Sequence, residues 1–246
     1  TSKDIASSVA LAVNEKHGIW YNPMTGKYHE ATIGDKGIQL NLKSGESRIL
    51  ITSNKPVNEW KLGSKVKVNE KEAIAAADSK TIDLTANTWK LSFTEDAPKV
   101  SETFNLKGVK SWEGLSEKAK VMMGTGVYET TIKLSKDDAK KQWTIDLGDV
   151  RESARVYVNN KYIGCAWAVP YILNCKDALN KGKNTIRIEV TNLPANRIAE
   201  MDRQGVKWRK MKEINVVDIN YKKTTYENWT SVPSGLNSTV KLVEIK

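Results

Sequence analysis

The stretch IDLGDVRESARVYVNNKYIG, residues 145–164, decides the fold. In ARVYV, Ala154, Val156 and Val158 fall on one face and Arg155 and Tyr157 on the other, the period-two alternation of a half-buried strand. Asn159-Asn160 then separates two strand-like runs. Asn tolerates positive φ, so the pair suits a tight hairpin. The same stretch carries Arg151, Glu152 and Arg155, charges that read either as a constellation with chemistry or as the solvated edges of a sheet.

The alternation continues outward. Tyr128, Thr130, Ile132 and Leu134 share one face of VYETTIKL, and Trp143, Ile145 and Leu147 share one face of WTIDL. In TIRIEV, Ile186, Ile188 and Val190 oppose Arg187 and Glu189. The only helix candidates are KEAIAAADS (71–79) and SKDDAKK (135–141), both short. Short strands parted by Gly, Asn and Asp predict an all-β sandwich or jelly roll, not a parallel α/β sheet.

Three stretches follow from composition. Residues 1–55 hold GIWY, KYHEATI and IQLNLKSGESRILITS, parted by NPMTG and GDKG, and read as four or five strands of a partial sandwich. A free-standing sandwich of that size is marginal. Residues 56–84 are polar and Lys-rich and read as a linker. Residues 85–246 suit one jelly roll, opened by TWKLSF and closed by TVKLVEIK, and such end strands commonly pair.

The chain has 246 residues, eight Trp and a net charge of +10. No apolar run approaches the roughly 20 residues of a membrane helix. The densest basic run, residues 203–223, interleaves only Trp208 and Tyr221, too thin for a base-stacking platform, so no nucleic-acid partner is expected. Cys165 and Cys175 are read as two free, buried thiols, and two histidines exclude a His-rich metal site.

Four segments carry a resemblance. SWEGLSEKAKVMMGTGVYETTIKL, IDLGDVRESARVYVNNKYIG, ALNKGKNTIRIEVTNLPANRI and WTSVPSGLNSTVKLVEI resemble, in order and spacing, the galactose-binding-like β-sandwich of family-2-type glycoside hydrolases. DVRESARVYVN, WAVPY and VTNLPANRI look most like the C-terminal region of family 106 α-L-rhamnosidase-like proteins, and the N-terminal block resembles the sandwich preceding it. Relatives commonly carry Asn-Gly where this chain has Asn159-Asn160. The resemblance implies a galactose-binding-like jelly roll preceded by a smaller, partial β-sandwich. It implies placement outside the cytoplasm: periplasmic, cell-surface or secreted. It puts the catalytic carboxylates on a barrel domain, and this chain shows no βα alternation onto which they could map. The expectation is a non-catalytic carbohydrate-binding or accessory region whose partners are carbohydrate or a catalytic domain of the same polypeptide. The alternative is a structural or protein-interaction module without sugar affinity.

The residues agree with a non-catalytic reading. Glycoside hydrolysis needs two facing carboxyls, one of them protonated when it acts. Asp146 points off a strand face opposite Trp143 and Ile145, Asp149 lies in the turn GDV, and Glu152 sits between Arg151 and Arg155, which favour its charged form. Sugar binding instead needs aromatic faces beside planar polar groups. The candidates are Trp167 and Tyr171 in GCAWAVPY, Asn192, Asn196 and Arg197 in TNLPANR, and Trp229 in ENWTSVPSG, all loop-like and able to converge at one rim; the alternative is that the Trp side chains plug the sandwich ends and Asn192 caps a strand. Arg197 is also expected to pair with Glu152. Related sandwiches often hold a structural calcium, for which Asp83 and Glu244 are the candidate ligands.

Overall fold

The computed structural model describes residues 3–24, 26–60, 79–209, 220 and 224–245. The chain forms two compact units, residues 1–79 with 245–246, and residues 80–244.

In the first unit, six strands are present where four or five were expected: β1 (Ile5–Val9), β2 (His17–Asn22), β3 (Lys27–Ala31), β4 (Ile33–Gly34), β5 (Gly37–Leu42) and β6 (Ile49–Ser53). They make two three-stranded sheets, β1-β5-β4 and β3-β2-β6. β1 lies outside the runs read as strands, and β4 is two residues long, paired with β5 as Ile33↔Ile38 and Gly34↔Gly37, too brief to show alternation. A small cluster of Ile19, Tyr28 and Val57 forms the core.

The second unit is a sandwich. Its strands are β7 (Thr81–Asp83), β8 (Thr88–Ala97), β9 (Phe104–Lys107), β10 (Met123–Leu134), β11 (Gln142–Asp146), β12 (Val150–Arg151), β13 (Ser153–Val158), β14 (Lys161–Ala166), β15 (Ile172–Asn174), β16 (Gly182–Thr191), β17 (Gly235–Leu236) and β18 (Lys241–Ile245). One sheet runs β14-β13-β16-β10-β8-β9, the other β15-β11-β18-β7, and β12 pairs with β17. Every face read from the alternation is the buried one, and Tyr128, Trp143, Val156 and Ile188 join a single core. Asn159 and Asn160 both take positive φ and close the β13–β14 hairpin, with Val158 opposite Lys161. The departure from Asn-Gly therefore leaves the hairpin intact.

The closing strand differs from expectation. β18 pairs with β7, inside the stretch read as linker, while the TWKLSF strand β8 lies between β10 and β9. β7 has three residues with only Ile82 partly buried, so its alternation was invisible.

The helices also differ. KEAIAAADS falls almost wholly outside the described residues, and SKDDAKK holds one 3-10 turn, Asp138–Lys140. Among the described residues the α-helices are α1 (Glu117–Val121) and α2 (Ala195–Arg203). Among the described residues, no helix is long and apolar enough to cross a membrane.

Both cysteines are free, but only Cys175 is buried; Cys165 lies opposite Arg155 in the β13–β14 ladder and is exposed, contrary to the expected burial of both. Burial pushes the Cys175 thiol up to about 12, which leaves almost no thiolate near neutral pH. Iodoacetamide at neutral pH is expected to label the native protein once, at Cys165, and Cys175 only after denaturation. Labelling of Cys175 in the native protein would contradict this burial.

Candidate functional site

β16 ends at Thr191, and the polar residues that follow organise one rim. The Asn192 carbonyl oxygen accepts from Gly124 N at 3.0 Å, and its amide donates to Met122 O at 3.0 Å and Ser234 Oγ at 3.2 Å. Asn196 grips Val232 as a peptide would, donating to its carbonyl and accepting from its N–H, both at 2.9 Å. Both asparagines, read from sequence as sugar ligands, hold the 232–234 segment against β10 and α2. Asn196 is also in a helix instead of a loop.

Between α1 and α2 lies an open cleft of about 790 Å³. Ser116 caps α1 by accepting from Ala119 N at 3.2 Å, and the buried Ala119 seats that short helix. α2 presents Arg197, Glu200, Arg203 and Gln204 to the cleft, spaced as one helical face. Arg203 is fully engaged: it binds Glu200 at 2.9 Å, Glu227 O at 2.9 Å and Trp229 O at 2.9 Å. Gln204 donates to the other Glu200 oxygen at 2.7 Å. Arg197 has no hydrogen bond or ion pair among the described residues, so the expected Arg197–Glu152 pair is not made. The two residues stand on different elements, Arg197 in the first turn of α2 and Glu152 just past β12.

Trp229 follows the turn that Arg203 holds. It is 49% exposed, and its ring lies 4.4 Å from that of Tyr226. Asp202 supports this shelf, accepting from Trp208 Nε1 and Tyr226 N, both at 2.7 Å.

Trp167 and Tyr171 lie elsewhere, on the connection from β14 to β15. Trp167 is 63% exposed, whereas Tyr171 is 9% exposed and its carbonyl accepts from Leu147 N. Burial, and then the charges of Glu152 and Asp149, push the Tyr171 phenol above its ordinary value. A phenol held inside offers no ring face to a sugar. Of six candidates, Asn196 and Arg197 line the cleft, Trp229 exposes its ring on the turn that Arg203 holds, and Trp167 exposes its ring elsewhere.

The charges of the deciding stretch are turn and ladder groups. Asp146 accepts from Gly148 N at 3.0 Å, and Arg151 grips Asp149 through two bonds of 2.7 and 3.0 Å. Arg155 pairs with Glu189 opposite it on β16 at 3.2 Å. Glu152 makes no ion pair among the described residues; its N–H donates to Thr191 O.

The two calcium candidates are not brought together. Asp83 accepts from Thr85 N at 2.7 Å, while Glu244 binds the Lys141 ammonium at 2.9 Å. They sit toward opposite ends of the β7–β18 ladder, where Asp83 faces Lys241 and Glu244 N reaches Lys80 O. Among the described residues, no three His, Cys, Asp or Glu cluster as a metal would need.

Residues 114–234 match the glycosyl hydrolase 2 galactose-binding domain-like family. A Formosa agariphila protein named "Putative beta-glucuronidase" is 27% identical over 212 residues, spanning 79% of this chain and 18% of that protein. The rhamnosidase from Novosphingobium sp. PP1Y superposes with a TM-score of 0.66 at 22% identity, over 99% of this chain and 22% of its own. The chain thus spans about a fifth of either relative, and the likeness to the rhamnosidase is one of fold.

Proposed function

We propose that the chain is a non-catalytic carbohydrate-binding or accessory region of an extracytoplasmic, α-L-rhamnosidase-like glycoside hydrolase. It works beside a catalytic domain of the same polypeptide. The carrying observation is an uncommitted guanidinium, Arg197, in a cleft beside α2, whose Arg203 also holds the backbone of Trp229, an exposed aromatic. Aromatic faces stack on the C–H faces of sugar rings, and a planar cation matches vicinal oxygens.

Calorimetry against a panel of plant and microbial oligosaccharides is expected to show weak, saturable binding. Trp229→Ala should weaken it roughly tenfold, the loss of one aromatic contact. The unmodified chain should release no aryl group from aryl glycosides. Turnover by the chain alone would overturn the non-catalytic reading.

A second reading, a protein-interaction module, is favoured by the exposed strip of Trp167, Val169 and Ile172. Absence of saccharide binding across the panel would favour it.

A further inference from the structure

We infer that the α1–α2 cleft selects acidic saccharides, those bearing carboxylate or sulfate groups. This rests on the carbohydrate-binding reading and narrows it. The charges lining the cleft separate into spent and spare. The Glu200 carboxylate is neutralised, one oxygen held by Arg203 and the other by Gln204. Arg203 is in turn consumed by Glu200 and two carbonyls. The spare groups are Lys118 and Lys120 from α1, Arg197 from α2, and one carboxylate, Glu117. None of these four side chains has a hydrogen bond or ion pair among the described residues. The cleft therefore presents three free cations against one free anion.

Their types fit an oxyanion. A guanidinium forks onto two oxygens of a carboxylate or sulfate in one plane, and an ammonium adds an undirected charge beside it. A neutral sugar would leave all three cations without a counter-charge. Arg197 is half-buried on a helix, so less rotamer entropy is lost when it engages than for a loop arginine. The volume of about 790 Å³ accommodates one or two sugar rings.

The test uses the full chain and three probes: tetragalacturonate for carboxylate, sulfated maltotetraose for sulfate, and maltotetraose as the neutral reference. At least one acidic tetramer should bind ten times more tightly than maltotetraose, and which one does so identifies the anion. Arg197→Ala should weaken acidic binding roughly tenfold to a hundredfold, as for a lost charge-assisted hydrogen bond. Arg197→Lys should lose most of that too, because the charge remains and the fork does not. Lys133→Ala/Lys183→Ala removes two charges from a cross-strand pair on the sheet and should leave affinity unchanged. Arg197 makes no bonds among the described residues, so its variants should keep the parent melting curve.

Equal binding of acidic and neutral tetramers would overturn the acidic preference and leave the carbohydrate reading standing. Loss in the sheet variant as large as in Arg197→Ala would also overturn it, since attraction would then follow net charge alone. Binding of none of the three tetramers or of the wider panel would remove both.

Discussion

Gly235→Ala is expected to cost the second unit about 4 kcal/mol, while Gly182→Ala costs about 1 kcal/mol. The two glycines have nearly the same φ, +87° and +86°, in the left-handed region that side chains avoid. Their surroundings differ. A methyl at Gly182 meets nothing within 4 Å. At Gly235 it would sit 2.3 Å from both Trp112 Nε1 and the Tyr128 hydroxyl. Those groups cannot yield easily, because both residues are fully buried. Trp112 Nε1 donates to the Tyr128 hydroxyl at 2.7 Å, and that hydroxyl accepts from Leu236 N at 3.2 Å. The shared backbone strain should thus appear in both variants, and the steric and hydrogen-bond losses only in Gly235→Ala. Urea unfolding followed by tryptophan fluorescence measures the difference. Equal destabilisation of the two variants would mean that Trp112 is not tightly held.

This packing explains two of the four segments that carry the resemblance. SWEGL supplies Trp112, and PSGL supplies the glycine that lets the chain pass over its ring. Gly126 of β10 lies against the same indole, where a methyl would meet Trp112 Cζ2 at 2.5 Å. The core was legible because Tyr128, Ile145, Val156 and Ile188 each alternate with polar neighbours along strands of five to twelve residues. α2 was not legible. Its inward positions are Asn196 and Ala199, one polar and one small, so it has no apolar stripe at helical spacing. Its N-cap, Pro194, makes no side-chain cap bond and reads as a strand breaker. The site was half legible for a related reason. Residue type marked Asn192, Asn196 and Arg197 alike as polar groups past a strand end. Only the fold separates amides that complete buried backbone from a guanidinium left over.

Asn184→Ala is expected to destabilise the second unit by about 3–4 kcal/mol without altering saccharide binding. Asn184 is fully buried and uses its whole amide. Its oxygen accepts from Asn180 N at 2.7 Å and Asn159 Nδ2 at 2.8 Å. Its nitrogen donates to Asn180 O at 2.7 Å and Gly182 O at 3.0 Å. Asn159 extends the network to Ala178 O at 2.8 Å and Thr185 N at 2.9 Å, tying the β13–β14 turn to the start of β16. Alanine would leave several of these buried groups without partners, and each such group costs about 1–3 kcal/mol, reduced where relaxation admits water. The Asn180 amide should lose hydrogen-exchange protection. A double-mutant cycle with Asn159→Ala should show coupling of about 1 kcal/mol, as expected within one network. The cleft should be indifferent, because Asn184 and Asn192 lie near opposite ends of β16, roughly 26 Å apart at the rise of an extended strand. A loss below about 1 kcal/mol would show that the network is replaceable by solvent. Weakened binding at full folding would instead couple the two ends of the strand.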